Sequence, residues 1–272
     1  MSIAAMMNVP VKRWASLTLL LCGVSASLAA QGPWPVEQAK KWGDAHPWLV
    51  GCNFSPSSAI NQLEMWQKES FDRAGIDREL GWAESLGFNS LRVFLHSLAW
   101  QQDPQGFLDR MDEFLAMADK HHIGVLFVFF DSCWHPVPKT GPQPAPKPHV
   151  HNSGWLQDPG RATLEDPEAF ARLKPYVQAV AKRFRDDARI HGWDVWNEPD
   201  NTNESSYGDL EPKNKVALVL PKLALAFAWL REVNPSQPLT SGVWKGSWEA
   251  DAKLQPIERL QLESSDVISF HT

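Results

Sequence analysis

The sequence has little of what marks several large functional classes. It holds 26 lysines and arginines against 32 aspartates and glutamates, a net charge of -6, and its basic residues form no stripe. A protein that binds a nucleic-acid backbone needs such a stripe to displace phosphate counterions, so we expect no nucleic-acid partner. Only 2 of the 272 residues are tyrosine, whereas 14 are tryptophan. An excess of indole suits a site that stacks flat apolar faces, such as the faces of sugar rings.

Two common catalytic and cofactor motifs are also absent. The first predicted strand ends in GCNFS at 51–55, which is not the glycine-rich G-x-G-x-x-G turn of dinucleotide-binding folds. We therefore expect no cofactor. No G-x-S-x-G is present either, and this leaves Ser-His-Asp catalysis without support.

The first thirty residues have the composition of a secretory leader. Lys12 and Arg13 precede a short apolar run over 14–21, and small residues follow over 23–30. The run is too short to span a bilayer comfortably, which disfavours the alternative of a membrane anchor. The sequence predicts a signal peptide over 1–30, export to the periplasm or the medium, and no membrane partner after cleavage.

Cysteine is scarce, with three in the chain and one of them inside the leader. The other two, Cys52 and Cys133, lie near the ends of predicted strands that are two apart in the sheet. That separation is too large for a disulfide bond, so we expect both thiols to be free.

Strand-like and helix-like segments alternate along the rest of the chain. The hydrophobic patterns predict strands over 50–54, 90–95, 123–130, 190–196, 239–243 and 267–270, and helices over 76–86, 107–122, 167–187, 215–233 and 248–262. Apolar strands that alternate with helices indicate a parallel sheet covered by helices. Polar and aromatic residues at the carboxyl ends of most strands favour a closed (β/α)8 TIM barrel over an open doubly wound sheet.

About six of the eight βα units of such a barrel are present, at roughly 30 residues per unit. We expect 31–272 to be one barrel domain that is truncated before its seventh strand. An incomplete barrel is the alternative, and it is disfavoured because the open edges of a buried sheet promote aggregation. The segment 31–272 expressed alone is accordingly expected to be poorly soluble.

A long loop over Ser132–Asp166 separates the third predicted strand from the next helix. Its prolines include a closely spaced set at positions 136, 138, 142, 144, 146 and 148. This spacing favours a stiff, extended segment, and long loops in compact domains are commonly functional. Trp134 and Trp155 flank the proline-rich part, and we expect their indoles at the rim of the strand-end face.

Two histidines in the same loop, His149 and His151, raise the alternative of a metal-dependent barrel hydrolase. Two histidines with a carboxylate can bind zinc. The pair lies in the loop rather than at a strand end and has no third ligand at fixed spacing. We therefore expect no metal.

The sharpest local signal is WDVWNEPD at 193–200. Pro199 has no N–H group to continue a strand ladder, so the strand stops and presents Glu198 at its carboxyl end. A partly desolvated carboxyl group beside Trp196 is expected to have a raised pKa, which suits general acid catalysis near neutral pH. Glu198 is therefore the candidate catalytic residue.

Side chains from the other strands are expected to meet Glu198, because the strand ends of one barrel share a mouth. These candidates are Asn53, Arg92, His96, Asp131, Asn197, Trp244 and His271. Asp131 ends the strand next to that of Glu198, so it is also a candidate second carboxylate. A pair with room for a water molecule is typical of an inverting site. The alternative is that Asp131 orients the site or binds a sugar hydroxyl.

The tryptophans divide into two predicted groups. Trp82 and Trp229 fall on helix faces and are expected in the core. Five others follow or end strands at the active-site face and are expected to contact sugar: Trp100, Trp134, Trp155, Trp196 and Trp244.

Asn-Glu-Pro at the end of strand four, with Arg92 on strand two and His271 after strand six, resembles the retaining (β/α)8 glycoside hydrolases of the family 5 type. The stretches ELGWA at 79–83, FDSCW at 130–134 and HNSGW at 151–155 are similar to those of bacterial proteins labelled 1,4-β-xylanase or cellulase. The resemblance covers about 48–272, and it supports membership more strongly than it supports a particular substrate.

The resemblance implies a role for each matching residue. Glu198 is the acid/base, Asn197 binds the 2-hydroxyl group of the cleaved sugar, and His271 lines the site near the leaving sugar. Arg92 keeps the nucleophile ionised. That nucleophile is a glutamate ending strand seven, about 5–5.5 Å from the acid/base, so we expect it beyond residue 272 and expect 1–272 alone to be inactive.

The implied reaction is hydrolysis of a β-linked xylan, mannan or glucan with retention of configuration. A carbohydrate-binding barrel that keeps the aromatic cleft without turnover is the rival interpretation. A glutamate at strand seven favours the enzyme, and an apolar residue there favours the binding protein.

Overall fold

A computed structural model describes residues 32–246 and 253–271 of the chain. The predicted signal peptide over 1–30 lies outside the described residues, as do positions 248–252 of the predicted helix 248–262, so these remain predictions. Across the two described ranges, no helix combines the length and the hydropathy needed to cross a membrane.

Five parallel strands form one sheet, in which each strand pairs with the next strand along the chain. They are β1 (Gly51–Phe54), β2 (Ser90–Phe94), β3 (Gly124–Asp131), β4 (Ile190–Asn197) and β5 (Leu239–Thr240). The register aligns Asn53 with Arg92, and Asp131 with Asn197. Because all strands run the same way, their carboxyl ends meet at one edge and bring distant parts of the chain together.

Helices connect the strands and cover the sheet. They are α1 (Val36–Ala45), α2 (Gln62–Trp66), α3 (Arg73–Ser85), α4 (Ser97–Gln102), α5 (Pro104–Lys120), α6 (Arg161–Glu165), α7 (Pro167–Ala171), α8 (Lys174–Arg183), α9 (Lys215–Val233) and α10 (Pro256–Ser264). In α5 the Asp103 carboxylate caps the first turn by accepting from the N–H of Gly106 at 3.1 Å. Phe107, Met111 and Phe114 share its buried face, as the helical period requires.

Aromatic rings fill the core between the sheet and its helices. Phe127 on β3 stacks on Trp193 of β4 with 5.9 Å between ring centroids. Tyr176 on α8 meets Phe129 edge to face at 5.8 Å. All four side chains are fully buried, and burial of one such side chain contributes about 1.5–3 kcal/mol.

The two tryptophans predicted for the core have different surroundings. Trp229 on α9 is 5% exposed and stacks on Phe170 at 5.1 Å, which confirms the prediction. Trp82 on α3 is 58% exposed, so that prediction is wrong. The guanidinium group of Arg78 lies 5.3 Å from the Trp82 ring, and this cation–π contact stabilises an indole at the surface.

The predicted strand over 267–270 is wrong in extent, because a single parallel bridge joins Phe270 to Val243. Two backbone N–H groups at β5 bond to side chains of residues 265–266 instead of to a neighbouring strand. The N–H of Leu239 donates to the Asp266 carboxylate at 2.7 Å, and that of Ser241 donates to Ser265 Oγ at 3.2 Å. The bridge still brings the following residue, His271, to the carboxyl edge of the sheet.

The predicted helix over 167–187 is two helices, α7 and α8. Pro175 lies in the first turn of α8 and has no N–H group to donate to the carbonyl of Ala171. The chain therefore ends one helix and begins another. Pro221 lies inside α9, and that helix continues past it.

Candidate active site

A cleft of about 870 Å³ opens at the carboxyl ends of the strands. Most of the residues predicted for the site line it: Asn53, Arg92, Trp134, Trp155, Asn197, Glu198, Trp244 and His271. They come from three strands and from the segments that follow β3, β4, β5 and α10. The structure thus brings together residues that are up to 218 positions apart, counted from Asn53 to His271.

Glu198 follows β4 in a backbone conformation that glycine favours. Its φ is 42°, in the left-handed region, where a non-glycine residue costs about 1–3 kcal/mol. Pro199 ends the ladder, and the N–H of Asn201 donates to the Glu198 carbonyl at 3.0 Å. Such strain persists only where the surroundings enforce it, and it is frequent at functional positions.

Three side chains hold the carboxyl group of Glu198. Nδ1 of His271 lies 2.8 Å from Oε1. The thiol of Cys133 donates to Oε2 at 3.0 Å, and Nδ2 of Asn201 donates to the same oxygen at 2.8 Å. Cys133 follows β3, Asn201 follows β4 and His271 follows α10, so the carboxyl group is fixed by the tertiary structure.

These contacts overturn the expectation that the pKa of Glu198 is raised. Burial alone raises it, but hydrogen bonds from His271, Cys133 and Asn201 outweigh burial and lower the pKa from 4.5 to about 2. All three stabilise the charged form. Glu198 is therefore a carboxylate at neutral pH in this structure.

Arg92 lies at the floor of the cleft and is held by three oxygens. Nε and Nη2 donate to Oδ2 of Asp194 at 3.1 and 2.5 Å. Nη2 also donates to Oδ1 of Asn197 at 2.8 Å, and Nη1 donates to Oδ1 of Asn53 at 3.3 Å. Asp194 neutralises the guanidinium charge, so Arg92 is a fixed, paired cation.

The side chain of Asn197 links this ion pair to β3. Its Oδ1 accepts from Arg92, and its Nδ2 donates to Oδ1 of Asp131 at 2.8 Å. Because both ends of the amide are engaged, its orientation is set from two sides. The second N–H of Nδ2 donates to Sγ of Cys133 at 3.5 Å, so the predicted contact with a sugar hydroxyl group would have to replace this long bond to a weak acceptor.

Comparisons with known proteins identify the fold. No protein-family model matches the chain, and no curated protein matches its sequence. The structure resembles that of the β-mannanase from the blue mussel Mytilus edulis, with a TM-score of 0.56 and 15% identity over 82% of this chain and 70% of that one. It also resembles the exo-β-1,4-mannosidase from Opitutaceae bacterium strain TAV5, with a TM-score of 0.52 and 19% identity over 82% of this chain and 38% of that one.

The fold is that of a (β/α) barrel, as in these two solved structures. The predicted fold class is thereby confirmed, with five of the barrel's parallel strands among the described residues. The chain spans less than two fifths of the length of the mannosidase. At these identities the likeness concerns the fold, and the chemistry depends on the cleft itself.

The structure places Trp196 outside the cleft and corrects its prediction as a sugar contact. The side chain is fully buried and stacks on Phe170 at 5.9 Å. Its Nε1 donates to Oγ of Ser132 at 2.8 Å. A strand buried on both faces gives no sequence signal for which of its residues face the cleft, so Trp196 was assigned to the wrong face.

His96 is likewise fully buried and does not line the cleft. It caps α4 by accepting from the N–H of Leu98 at 3.2 Å, and its Nδ1 lies 3.8 Å from Oδ1 of Asp158. Burial lowers the pKa of His96 to about 3. The prediction that His96 contacts substrate is therefore wrong, and the ring is a neutral part of the core.

Asp131 is 2% exposed and lies behind the cleft. Its Oδ1 accepts from Asn197 and from the N–H of Cys133 at 2.9 Å, while Oδ2 has no partner among the described residues. Burial raises the pKa of Asp131 to about 6. A carboxyl group shut off from the cleft cannot activate a water there, so the inverting alternative and the predicted sugar contact both lose their basis. Its remaining role is to orient Asn197.

The other predicted tryptophans form parts of the cleft wall, with one exception. Trp134 and Trp155 meet edge to face with 5.6 Å between centroids. Nε1 of Trp244 donates to Oδ1 of Asp200 at 2.5 Å, which ties its ring to the segment after β4. Trp100 does not line the cleft and lies 5.8 Å from Tyr176 in the core.

The proline-rich loop folds back on itself. The N–H of His135 donates to the carbonyl of Trp155 at 3.1 Å, and the N–H of Gln157 donates to the carbonyl of His135 at 3.0 Å. These bonds bring Trp134 next to Trp155, and His151 stands 5.5 Å from the Trp134 ring. Within the described residues, no group of three or more metal-ligating side chains is present.

Sequence analysis missed Asp194, Cys133 and Asn201. Asp194 lines the cleft and pairs with Arg92. A signal was present, because a lone carboxylate inside an otherwise apolar strand needs a cation, and β2 carries one. Both cysteines are free, as predicted, but Cys133 is buried against Glu198 whereas Cys52 is exposed. No pattern in the residues next to Cys52 and Cys133 predicts that one is exposed and the other is buried.

Proposed function

We propose that this protein hydrolyses O-glycosidic bonds in a β-linked oligosaccharide or polysaccharide, with Glu198 as the general acid/base. The observation that carries the proposal is the Glu198 carboxyl group, held in an indole-walled cleft by His271 and two other side chains. Carboxyl groups in such clefts carry out glycosidic cleavage. The shared fold with a β-mannanase and an exo-β-1,4-mannosidase supports the same interpretation, and with it membership of the family 5 type.

The reaction proposed is a double displacement with retention. Glu198 gives a proton to the leaving oxygen in the first step and takes one from water in the second. The lowered pKa suits the second step. The first step needs the carboxyl group to gain a proton, and a negative charge nearby raises its pKa.

That negative charge would come from the nucleophile. Asp194 is paired with Arg92 and Asp131 is buried, so we assign the role to neither. We propose a glutamate on a seventh strand outside the described residues, as the resemblance implies. Arg92 then lies where its guanidinium group favours the ionised form of that glutamate.

The cleft favours uncharged sugars of the xylan, mannan or glucan type. Among its described lining residues, Arg92 is the sole lysine or arginine, and Asp194 already neutralises it. Trp134, Trp155 and Trp244 offer apolar faces on which sugar rings stack. These features set the substrate class without selecting one sugar or linkage.

The test is Glu198→Ala in the protein with its complete catalytic domain, assayed on natural oligosaccharides and on aryl glycosides. Loss of acid catalysis should slow natural substrates about 10²–10⁴-fold. Aryl glycosides with acidic phenols need no proton and should still react with the enzyme, and azide should restore the second step. Glu168→Ala, an exposed carboxylate on α7, is the control. Hydrolysis within a few-fold of normal in Glu198→Ala would exclude Glu198 as the acid/base.

A carbohydrate-binding protein without turnover is the second candidate. The ionised state of Glu198 favours it, since a permanent carboxylate binds hydroxyl groups without donating a proton. Calorimetry and a hydrolysis assay with xylan, mannan and glucan oligomers distinguish the binding protein from the enzyme. Binding by the wild-type protein with no detectable hydrolysis supports this candidate and contradicts the enzyme.

A further inference from the structure

Cys133 makes contacts that the proposed mechanism does not use. It follows β3 and is 3% exposed. Its Sγ lies 3.0 Å from Oε2 of Glu198, 3.4 Å from Nδ2 of Asn201 and 3.5 Å from Nδ2 of Asn197. A buried sulfur atom thus lies in contact with the candidate acid/base and with both amides around it.

The direction of the bond to Glu198 follows from the donors present. Asn201 and Asn197 can only donate to sulfur through their NH₂ groups, so sulfur is their acceptor. Burial and the nearby carboxylates of Asp131 and Glu198 raise the pKa of the Cys133 thiol, which keeps its proton. The Asp131 carboxyl group also lies near the thiol, but the hydrogen-bond geometry directs the S–H group to Oε2 of Glu198 at 3.0 Å, so the contact is an S–H···O hydrogen bond to a carboxylate.

The two oxygens of Glu198 therefore have different environments. Oε2 accepts from Cys133 and Asn201 on the buried side. Oε1 has a single described partner, His271, whose side chain is 31% exposed. A carboxyl group anchored through one oxygen presents the other to the cleft in a fixed direction.

We propose, on the basis of the proposed function, that Cys133 is a positioning residue: its thiol anchors Oε2 of Glu198 and leaves Oε1, beside His271, to exchange protons with substrate and water. Cys133 is 3% exposed, and the described hydrogen bonds of its side chain are to Glu198, Asn201 and Asn197. It acts through Glu198 in two ways: it fixes the orientation of the carboxyl group, and it favours the charged form of that group. A thiol is a weak donor, so it anchors the carboxylate without preventing it from gaining a proton.

The variants Cys133→Val and Cys133→Ser distinguish the effect of the thiol's hydrogen bond from the effect of its volume. Valine has nearly the volume of cysteine and no donor, whereas serine keeps a donor. Cys52→Val, at the exposed cysteine of β1, is the matched control. Two readouts are measured in each: the pKa of Glu198 from the NMR titration of its ¹³C-labelled carboxyl group, and kcat and KM on an oligosaccharide.

We expect Cys133→Val to raise the pKa of Glu198 by about 0.5–1 unit, the effect of one lost hydrogen bond to the charged form. It should lower kcat about tenfold while KM changes less than about twofold, since misdirection affects the transition state rather than binding. Cys52→Val should match the wild type in both readouts, whereas Cys133→Ser keeps a donor and should hold the pKa of Glu198 at or below its wild-type value, with a smaller loss of kcat than Cys133→Val. If the valine variant does not fold, Cys133→Ala provides the same comparison.

An unchanged Glu198 titration in Cys133→Val overturns the proposal, because the thiol then only fills space. Equal impairment of the valine and serine variants overturns it too. If the proposed function is wrong, the two sets of variants give a different combination of results. In that case Glu198→Ala leaves hydrolysis intact, while the valine variant still shifts the Glu198 titration and upholds the anchoring bond.

Discussion

Nδ1 of His271 lies 2.8 Å from Oε1 of Glu198, although 73 positions separate the two residues in the chain. The bridge between Val243 and Phe270 places His271 there, since its N–H donates to the Val243 carbonyl at 2.9 Å. The imidazole is the one described partner of the oxygen that faces the cleft. Together with Cys133 and Asn201, it therefore favours the charged form of Glu198.

His271→Ala should raise the pKa of Glu198 from about 2 toward or above its ordinary 4.5, because burial is then less opposed. Because the pKa of Glu198 is lower in the folded state than in the unfolded state, ionised Glu198 stabilises the fold at any pH above its unfolded pKa. That stability is lost as the pH falls through the folded pKa. The difference in unfolding free energy between wild type and variant should thus shrink between about pH 5 and pH 2. Carboxyl NMR and urea unfolding at several pH values measure both effects. A Glu198 pKa that stays near 2 in the variant contradicts the pairing.

Trp134→Ala and Trp196→Ala should have opposite profiles, although both residues were predicted to touch sugar. Trp134 lines the cleft, so its loss should weaken oligosaccharide binding about tenfold with little effect on stability. Trp196 is fully buried, so its loss should cost about 3–5 kcal/mol of unfolding free energy. Calorimetry and denaturant unfolding of both variants test this. Equal stability losses would mean that Trp134 belongs to the core.

Arg92→Met should destabilise the protein by about 3–5 kcal/mol, the usual cost of leaving one member of a buried pair unpaired. The side chains of Arg92 and Asp194 are 17% and 3% exposed. The double variant Arg92→Met, Asp194→Asn should recover a large part of the loss, because no buried charge then remains unpaired. Denaturant unfolding of the two single variants and the double variant measures the coupling. Additive losses would show that the pair contributes no coupling energy.

Asp158→Asn should change how stability depends on pH. Burial raises the pKa of Asp158 to about 7, while the N–H of Ser97 donates to its carboxyl group at 2.7 Å. Between about pH 4 and pH 7 the folded carboxyl group keeps a proton that the unfolded one has lost. The unfolding free energy therefore falls as pH rises, by at most about 1.4 kcal/mol per unit.

The neighbouring His96 has the opposite dependence, because its pKa is lowered to about 3. Below its unfolded pKa the unfolded ring gains a proton that the buried ring does not, so stability falls as pH falls. The Asp158→Asn substitution removes only the carboxyl contribution. Relative to wild type, the variant should gain stability steadily from about pH 4 to about pH 7. Parallel curves for the two proteins would show that Asp158 is ionised in the folded state.

Short-range patterns in the chain predicted much of the fold. The apolar run of β3 and the alternation of strands with helices indicated a parallel sheet, and five strands in sequential order confirm it. The missing N–H of Pro199 was enough to predict that β4 ends next to Glu198. These features follow from backbone hydrogen bonding and side-chain periodicity, which neighbouring residues determine.

Tertiary structure alone decided the chemistry of the cleft. The charge of Glu198 depends on the balance between burial, which raises its pKa, and donors such as Cys133 and His271, which lie 65 and 73 positions away and lower it. The burial of Trp196 depends on which face of a doubly covered strand meets a helix. Local sequence determined where β4 ends, because the backbone of Pro199 decides that. The packing of distant segments determined which side chains face the cleft and which are charged, because solvation and hydrogen bonding depend on neighbours in space.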